Sequence, residues 1–94
     1  MIRSFGNTDT ENIWRGIWVK RFDTKLQHIA RRKLRMLNNA QTLNDLRIPP
    51  GNRLERLAGD QRGVYSIRVN DQWRITFKWN NTDALNVKIT DYHR

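Results

Sequence analysis

Three groups suited to proton transfer stand side by side: Asp91, Tyr92 and His93 place a carboxylate, a phenol and an imidazole in consecutive positions at the close of the last expected strand. Cleaving RNA needs a base to take the proton of a ribose 2′-hydroxyl and an acid to protonate the departing 5′-oxygen. It also needs a cation set against the charge of the phosphorane-like transition state. Histidine titrates near neutrality, and Arg74 can supply the cation, so this chemistry calls for no metal and no other cofactor. Taken alone, Asp-Tyr-His is a weak motif. A histidine near a chain end is usually exposed and without a task, and a tyrosine there usually caps a core. His28 lies 65 positions before His93, which is no metal-ligand spacing, and inside a basic helix it reads as a surface residue.

The charge balance directs attention to a polyanion. Eighteen Lys and Arg against nine Asp and Glu leave a formal charge of +9 on 94 residues, and such an excess on a short chain favours nucleic acid as a partner. Thirteen of the cations are arginine, whose planar fork matches phosphate with two hydrogen bonds and stacks on bases. Residues 15–35 concentrate the excess, with eight cations against Asp23 alone. This block can bind RNA, or it can be the surface covered by an acidic inhibitor. The length suits one domain over 1–94. No apolar run approaches the span of a bilayer or the core of a signal peptide, and the absence of cysteine excludes disulfides and thiolate metal sites. A soluble cytoplasmic protein is expected, without membrane contact.

These groups must be positioned by an α+β fold. Residues 2–5 predict a short opening strand, and Thr8–Trp14 a short helix with Thr8 as N-cap and Glu11 at capping-box spacing. A longer helix is expected from Thr24 or Lys25 to Asn39. Its apolar stripe is Leu26, Ile29, Ala30, Leu34 and Leu37, and its opposite face carries Gln27, Arg31, Arg32 and Arg35. Thr42–Leu46 predicts one further turn, and Pro49-Pro50-Gly51-Asn52 a break. Beyond it the period changes to two. Residues 53–57, 65–69, 73–79 and 85–90 read as four strands of an antiparallel meander, with turns at 59–63, 70–71 and 80–83. The N-terminal helices must cover its apolar face, made of Tyr65, Ile67, Val69, Trp73, Ile75, Phe77, Leu85, Val87 and Ile89. The other face then presents Arg68, Arg74, Lys78 and Lys88. Such a basic, concave face can hold a single RNA strand, and it is equally what the solvated side of a small sheet looks like.

Three segments together carry a resemblance to a known family. They are Pro49-Pro50-Gly51-Asn52-Arg53-Leu54-Glu55, the stretch from Gly63-Val64-Tyr65 through Asn70-Asp71-Gln72-Trp73-Arg74-Ile75, and Asp91-Tyr92-His93. With the opening Met1-Ile2-Arg3-Ser4-Phe5, the chain resembles a HigB-type toxin of the RelE/ParE superfamily over essentially its whole length. The resemblance implies a curved antiparallel sheet with N-terminal helices packed on it, as in microbial ribonucleases. It implies a type II toxin that cleaves mRNA on the translating ribosome and is held inactive by a helix-turn-helix antitoxin of the HigA type, with operator DNA contacted only through that antitoxin. Asp91, Tyr92 and His93 match the family's C-terminal catalytic cluster, with His93 as the foremost acid or base. Arg74 matches the cation of its Trp-Arg pair, and Gln72 a position where relatives often place asparagine near the substrate. Some members have histidine where this chain has Glu55 and lysine where it has Ala58. Glu55 can itself act as a base, or can be bound up in a surface ion pair with Arg53 or Arg74.

The expected reaction is therefore attack of the 2′-hydroxyl on the adjacent phosphate. Glu55 or Asp91 assists deprotonation, His93 protonates the leaving group, Arg74 holds the transition state and Tyr92 stacks on or orients a base. Arg68, Lys78, Lys88 and Arg62 are expected to hold the RNA backbone. Two other readings differ in kind. ParE-like relatives poison DNA gyrase and cleave nothing, but they generally lack the terminal cluster. A basic nucleic-acid-binding module without catalysis would need a recognition element that no segment here supplies.

Overall fold

The computed structural model describes residues 1–59 and 63–91. Two helices, α1 (Thr8–Trp14) and α2 (Thr24–Asn39), precede two 3-10 turns at Leu43–Arg47 and Pro50–Asn52. Four strands follow: β1 (Glu55–Arg56), β2 (Val64–Arg68), β3 (Trp73–Asn80) and β4 (Asp83–Asp91). The strands form one sheet in the order β1-β2-β3-β4, with every neighbouring pair antiparallel. This is the expected α+β meander, with β1 shortened to two residues.

The helices begin where short polar side chains satisfy their first amides. Asn7, not Thr8, caps α1: its Oδ1 accepts from the Thr10 amide at 2.9 Å. Asparagine serves this role as well as threonine does, so the cap lies one residue earlier than the spacing predicts. Asp23 caps α2 through the Leu26 amide at 2.7 Å. Thr42 and Asp45 form a reciprocal capping box on the first 3-10 turn. Hydrogen bonds from the Gln41 and Thr42 amides hold the Asp45 carboxyl below its ordinary pKa.

Leu26, Ala30, Leu34 and Leu37 of α2 pack with Ile67, Ile75, Phe77, Val87 and Ile89 of the sheet, and burial of each of the larger side chains contributes about 1.5 to 3 kcal/mol. Two polar residues of α2 depart from the expected pattern. Gln27, expected on the solvent face, is buried. Its Oε1 accepts from the Val19 amide at 2.9 Å, and its Nε2 donates to the carbonyls of Val19 and Phe22 at 3.0 and 2.9 Å. The side chain thus supplies the hydrogen bonds that the irregular segment between the helices cannot make with itself. Lys33 is the other buried polar residue on this helix.

Strand β4 does not keep a strict alternation. Lys88 stands opposite Thr76, but Leu85 stands opposite Lys78, so β4 holds one extra residue between these pairs. Asn86, at φ 54°, absorbs it in a β-bulge. The inward phase therefore changes along the strand: Val87 and Ile89 point into the core as expected, whereas Ala84 takes the inward place predicted for Leu85, which is partly exposed.

The opening segment is extended but is not a continuous strand. It runs parallel to β4 through bridges at Ile2–Ala84 and Phe5–Val87, and the bulge interrupts the ladder. At the bulge the Asn86 amide donates to Ser4 Oγ at 2.8 Å. Farther along, Thr10 Oγ1 accepts from the Ile89 amide at 2.8 Å. Segment 1–6 and α1 thereby satisfy an edge that would otherwise recruit another chain.

Gln27→Ala should leave the Val19 amide and the Phe22 carbonyl without the partner that Gln27 gives them, while the Val19 carbonyl keeps the Phe22 amide at 3.2 Å. The expected loss is about 2 to 3 kcal/mol, or roughly 10 °C or more in Tm for a chain of this size, read by circular dichroism.

Candidate functional site

Arg74 lies near the start of β3, opposite Arg68, and its guanidinium is held on several sides. Nε donates to Ser66 Oγ at 2.8 Å. Nη2 donates to the Arg53 carbonyl at 2.5 Å and to the Ser66 carbonyl at 3.3 Å. Nη1 stands 3.9 Å from Glu55 Oε1. The residue is only 4% exposed, so Arg74 is not displayed to solvent as the strand alternation predicts. Ser66 faces it because β2 and β3 pair with Ser66 opposite Thr76 and Arg68 opposite Arg74. Glu55 faces it because β1 pairs with Ser66.

Above this guanidinium lies a cleft of about 290 Å³, lined by Arg53, Glu55, Arg68, Asn70, Asp71 and Arg74. Asn70 shapes its rim by accepting from the amides of Gln72 and Trp73 at 2.9 and 2.8 Å, the local turn chemistry expected of asparagine. Arg68 is paired with the exposed Asp71 at 2.5 Å. The cleft therefore joins three guanidinium groups and two carboxylates. An arginine fixed in this way can grip a phosphate without losing side-chain freedom on binding, and a carboxylate beside it can accept a proton.

The expected site residues divide into several groups. Arg74, Glu55 and Arg68 meet in the cleft. Gln72 and Asp91 meet each other, with Gln72 Nε2 donating to Asp91 Oδ2 at 3.1 Å, at the same end of the sheet, where Trp73 pairs with Asp91. Lys88 and Lys78 share the polar face by register, but Lys78 is four residues along β3 from Arg74, roughly 13 Å at the rise of a strand. Arg62, Tyr92 and His93 lie outside the described residues. Sequence reasoning missed Arg53, Asn70 and Asp71 as cleft residues and Ser66 as an anchor. Arg53 could have been found from its place two residues before Glu55, whereas Asn70-Asp71 carried only a turn signal.

The basic block of residues 15–35 is partly neutralised. Arg15 pairs with Glu11 at 3.0 Å and Arg21 with Asp9 at 2.7 Å, while the Arg21 guanidinium lies 4.5 Å from the centre of the Phe22 ring. His28 is exposed, on a hollow it shares with Trp18 and Arg31. Burial lowers the pKa of Lys33, and the nearby charges of Arg32 and Arg68 lower it further. Among the described residues no cluster of histidine and carboxylate side chains could hold a metal ion, and no helix is long and apolar enough to cross a membrane.

Known proteins match this chain in sequence and in fold. The HigB-like toxin family, described as the RelE-like toxin of type II toxin-antitoxin system HigB, matches residues 11–93. Toxin HigB-1 of Vibrio cholerae is 46% identical over 71 residues, which cover 76% of this chain and 74% of that protein. Endoribonuclease HigB of Proteus vulgaris is 46% identical over a shorter stretch of 41 residues, 44% of this chain and 45% of its own length. Among solved structures, a histidine-to-glutamine mutant of YafQ from E. coli superposes with a TM-score of 0.69 at 16% identity, covering 98% of this chain and 92% of that one. The YoeB-YefM complex from Staphylococcus aureus superposes with a TM-score of 0.63 at 14% identity, covering 100% and 99% of the two chains.

Two outcomes test the site's construction. Ser66→Ala removes the acceptor of the Arg74 Nε–H and should lower stability by about 1 to 2 kcal/mol in urea titration. For Lys33, the lowered folded pKa means that the unfolded chain binds the proton more tightly, so the buried ammonium penalises the fold at lower pH. The penalty should fade as pH rises toward the ordinary lysine value of 10.5. Measured against Lys33→Met in parallel titrations, the native chain should therefore gain relative stability across that alkaline window.

Proposed function

Because the chain belongs to the HigB-like toxins, RelE-like toxins of type II toxin-antitoxin systems, we propose that it is an endoribonuclease that cuts mRNA on the translating ribosome. The observation that carries this reading is the cleft in which Arg74, fixed by Ser66 and Arg53, stands 3.9 Å from Glu55 and beside Arg68. The name of the Proteus vulgaris relative, Endoribonuclease HigB, supports it.

In the proposed reaction a backbone phosphate enters the cleft between Arg74 and Arg68. The ribose 2′-oxygen forms a bond to phosphorus as its proton passes to Glu55 or Asp91, and the bond from phosphorus to the 5′-oxygen breaks as His93 gives that oxygen a proton. The products are a 2′,3′-cyclic phosphate and a free 5′-hydroxyl. Side chains fill the roles of base, acid and cation. Gln72 orients Asp91 through their hydrogen bond, Tyr92 stacks on a base, and Arg53, Arg62, Lys78 and Lys88 hold flanking phosphates. The toxin would act in the cytoplasm and be silenced by a helix-turn-helix antitoxin of the HigA type. The YoeB-YefM assembly of a fold relative supports such a partner.

Induced expression tests the reading. The native chain should arrest growth with mRNA cut inside reading frames, whereas His93→Ala and a truncation after Thr90 should be harmless. Full toxicity of both variants with intact mRNA would refute the nuclease and turn attention to gyrase. In a purified assay, Arg74→Ala, once shown to be folded, should lower turnover by about 10² to 10³ while changing ribosome affinity only a few-fold. Equal losses in both would reduce Arg74 to a binding residue.

A further inference from the structure

Lys33 occupies a costly position. It lies on the buried stripe of α2, seven residues from Leu26 and four from Leu37, and is 6% exposed. A leucine or methionine there would bury apolar surface, whereas an ammonium must be desolvated. Its Nζ donates to Asn52 Oδ1. Asn52 is fully buried as well, and its Nδ2 donates to the carbonyls of Leu46 at 3.1 Å and Ile48 at 3.4 Å. One amide thus joins α2 to the end of the first 3-10 turn and to the second.

The next residue is Arg53, in the left-handed region at φ 44° and ψ 57°. Its amide is held by the Pro50 carbonyl at 3.1 Å, and its own carbonyl accepts from Arg74 Nη2 at 2.5 Å. The planar peptide between Asn52 and Arg53 sets the Arg53 amide, and the left-handed φ and ψ of Arg53 then aim its carbonyl, so displacement of Asn52 reaches that carbonyl through one residue. Ser66 secures the guanidinium from within the sheet; the Arg53 carbonyl, from the loop, sets the direction of its far end.

We infer that Lys33 and Asn52 are positioning residues for the cleft: the Lys33–Asn52 hydrogen bond fixes the Arg53 carbonyl and, through it, the orientation of Arg74. The inference rests on the nuclease reading for its effect on rate, but not for its effect on Arg74.

The test pairs kinetics with nuclear magnetic resonance. Lys33→Met keeps the length and packing of the side chain and removes the donor. It should lower kcat about tenfold, the scale of a small misplacement of a catalytic group, with KM for ribosome-bound mRNA changed less than twofold. In an Arg74→Ala background it should cause no further loss, because its effect passes through Arg74. Asn52→Ala removes the acceptor for Lys33 and should show the same loss; it also serves if Lys33→Met fails to fold. In ¹⁵N spectra the Arg74 Nε–H resonance should move and exchange with solvent faster in either variant. An unmoved resonance, or equal kcat losses with and without Arg74, would overturn the inference. If the native chain cuts no RNA while the resonance still moves, the positioning stands and the nuclease reading falls.

Discussion

The structure depends on how a guanidinium is kept inside a small sheet domain. Burying an unpaired charge would cost several kcal/mol, and the fold meets that demand at Arg74 with hydrogen bonds to two elements and an ion pair to a third. Ser66 comes from the neighbouring strand, the Arg53 carbonyl from the loop before β1, and Glu55 from β1 itself. Each of these oxygens arrives by a different structural device. The antiparallel register brings Ser66, a left-handed residue after a 3-10 turn aims the Arg53 carbonyl, and two residues of edge pairing place Glu55. Because these devices converge on one side chain, the cleft above it inherits its geometry from the fold.

A comparable economy governs the opposite edge of the sheet. Strand β4 needs partners for the amides and carbonyls that do not face β3, and segment 1–6 and Thr10 provide them. The bulge at Asn86 complicates this pairing, since it breaks the parallel ladder into two bridges. It also lets β4 place Val87 and Ile89 inward near the cleft end while Ala84, bridged to Ile2 alongside it, faces inward at the other. Core packing and edge protection are thus settled by one inserted residue.

The electrostatics divide into two zones. On the outer surface, Arg15 and Arg21 are partly offset by Glu11 and Asp9 in exposed pairs that contribute little to stability. In the cleft, arginines outnumber carboxylates, and the buried ammonium of Lys33 lies close enough to Arg68 for their charges to interact. A polyanion is therefore favoured at the cleft by charge as well as by shape.

Much of the architecture was legible in local pattern. The period-two runs of residues 65–69 and 73–79, the leucine stripe of α2 and the turn residues between strands specified the elements and their order, because alternation and helical spacing depend only on neighbours in the chain. The net charge and its arginine content likewise pointed to a polyanionic partner. Local pattern could not reveal facts that depend on distant partners. Gln27 read as solvent-facing until the segment at 19–22 came within reach of its polar atoms, and nothing in local pattern pairs Lys33 with Asn52. Leu85 read as core until the bulge changed the phase of β4. Arg74 and Glu55 could be named as chemistry-bearing residues from the chain, but their separation, and the burial of the guanidinium between Ser66 and the Arg53 carbonyl, follow from strand register and loop path. Local pattern thus reached the two helices, the three longer strands and the identity of the charged side chains. Tertiary structure alone decided which of those charges share a cleft, because that is set by contacts between residues far apart in the chain.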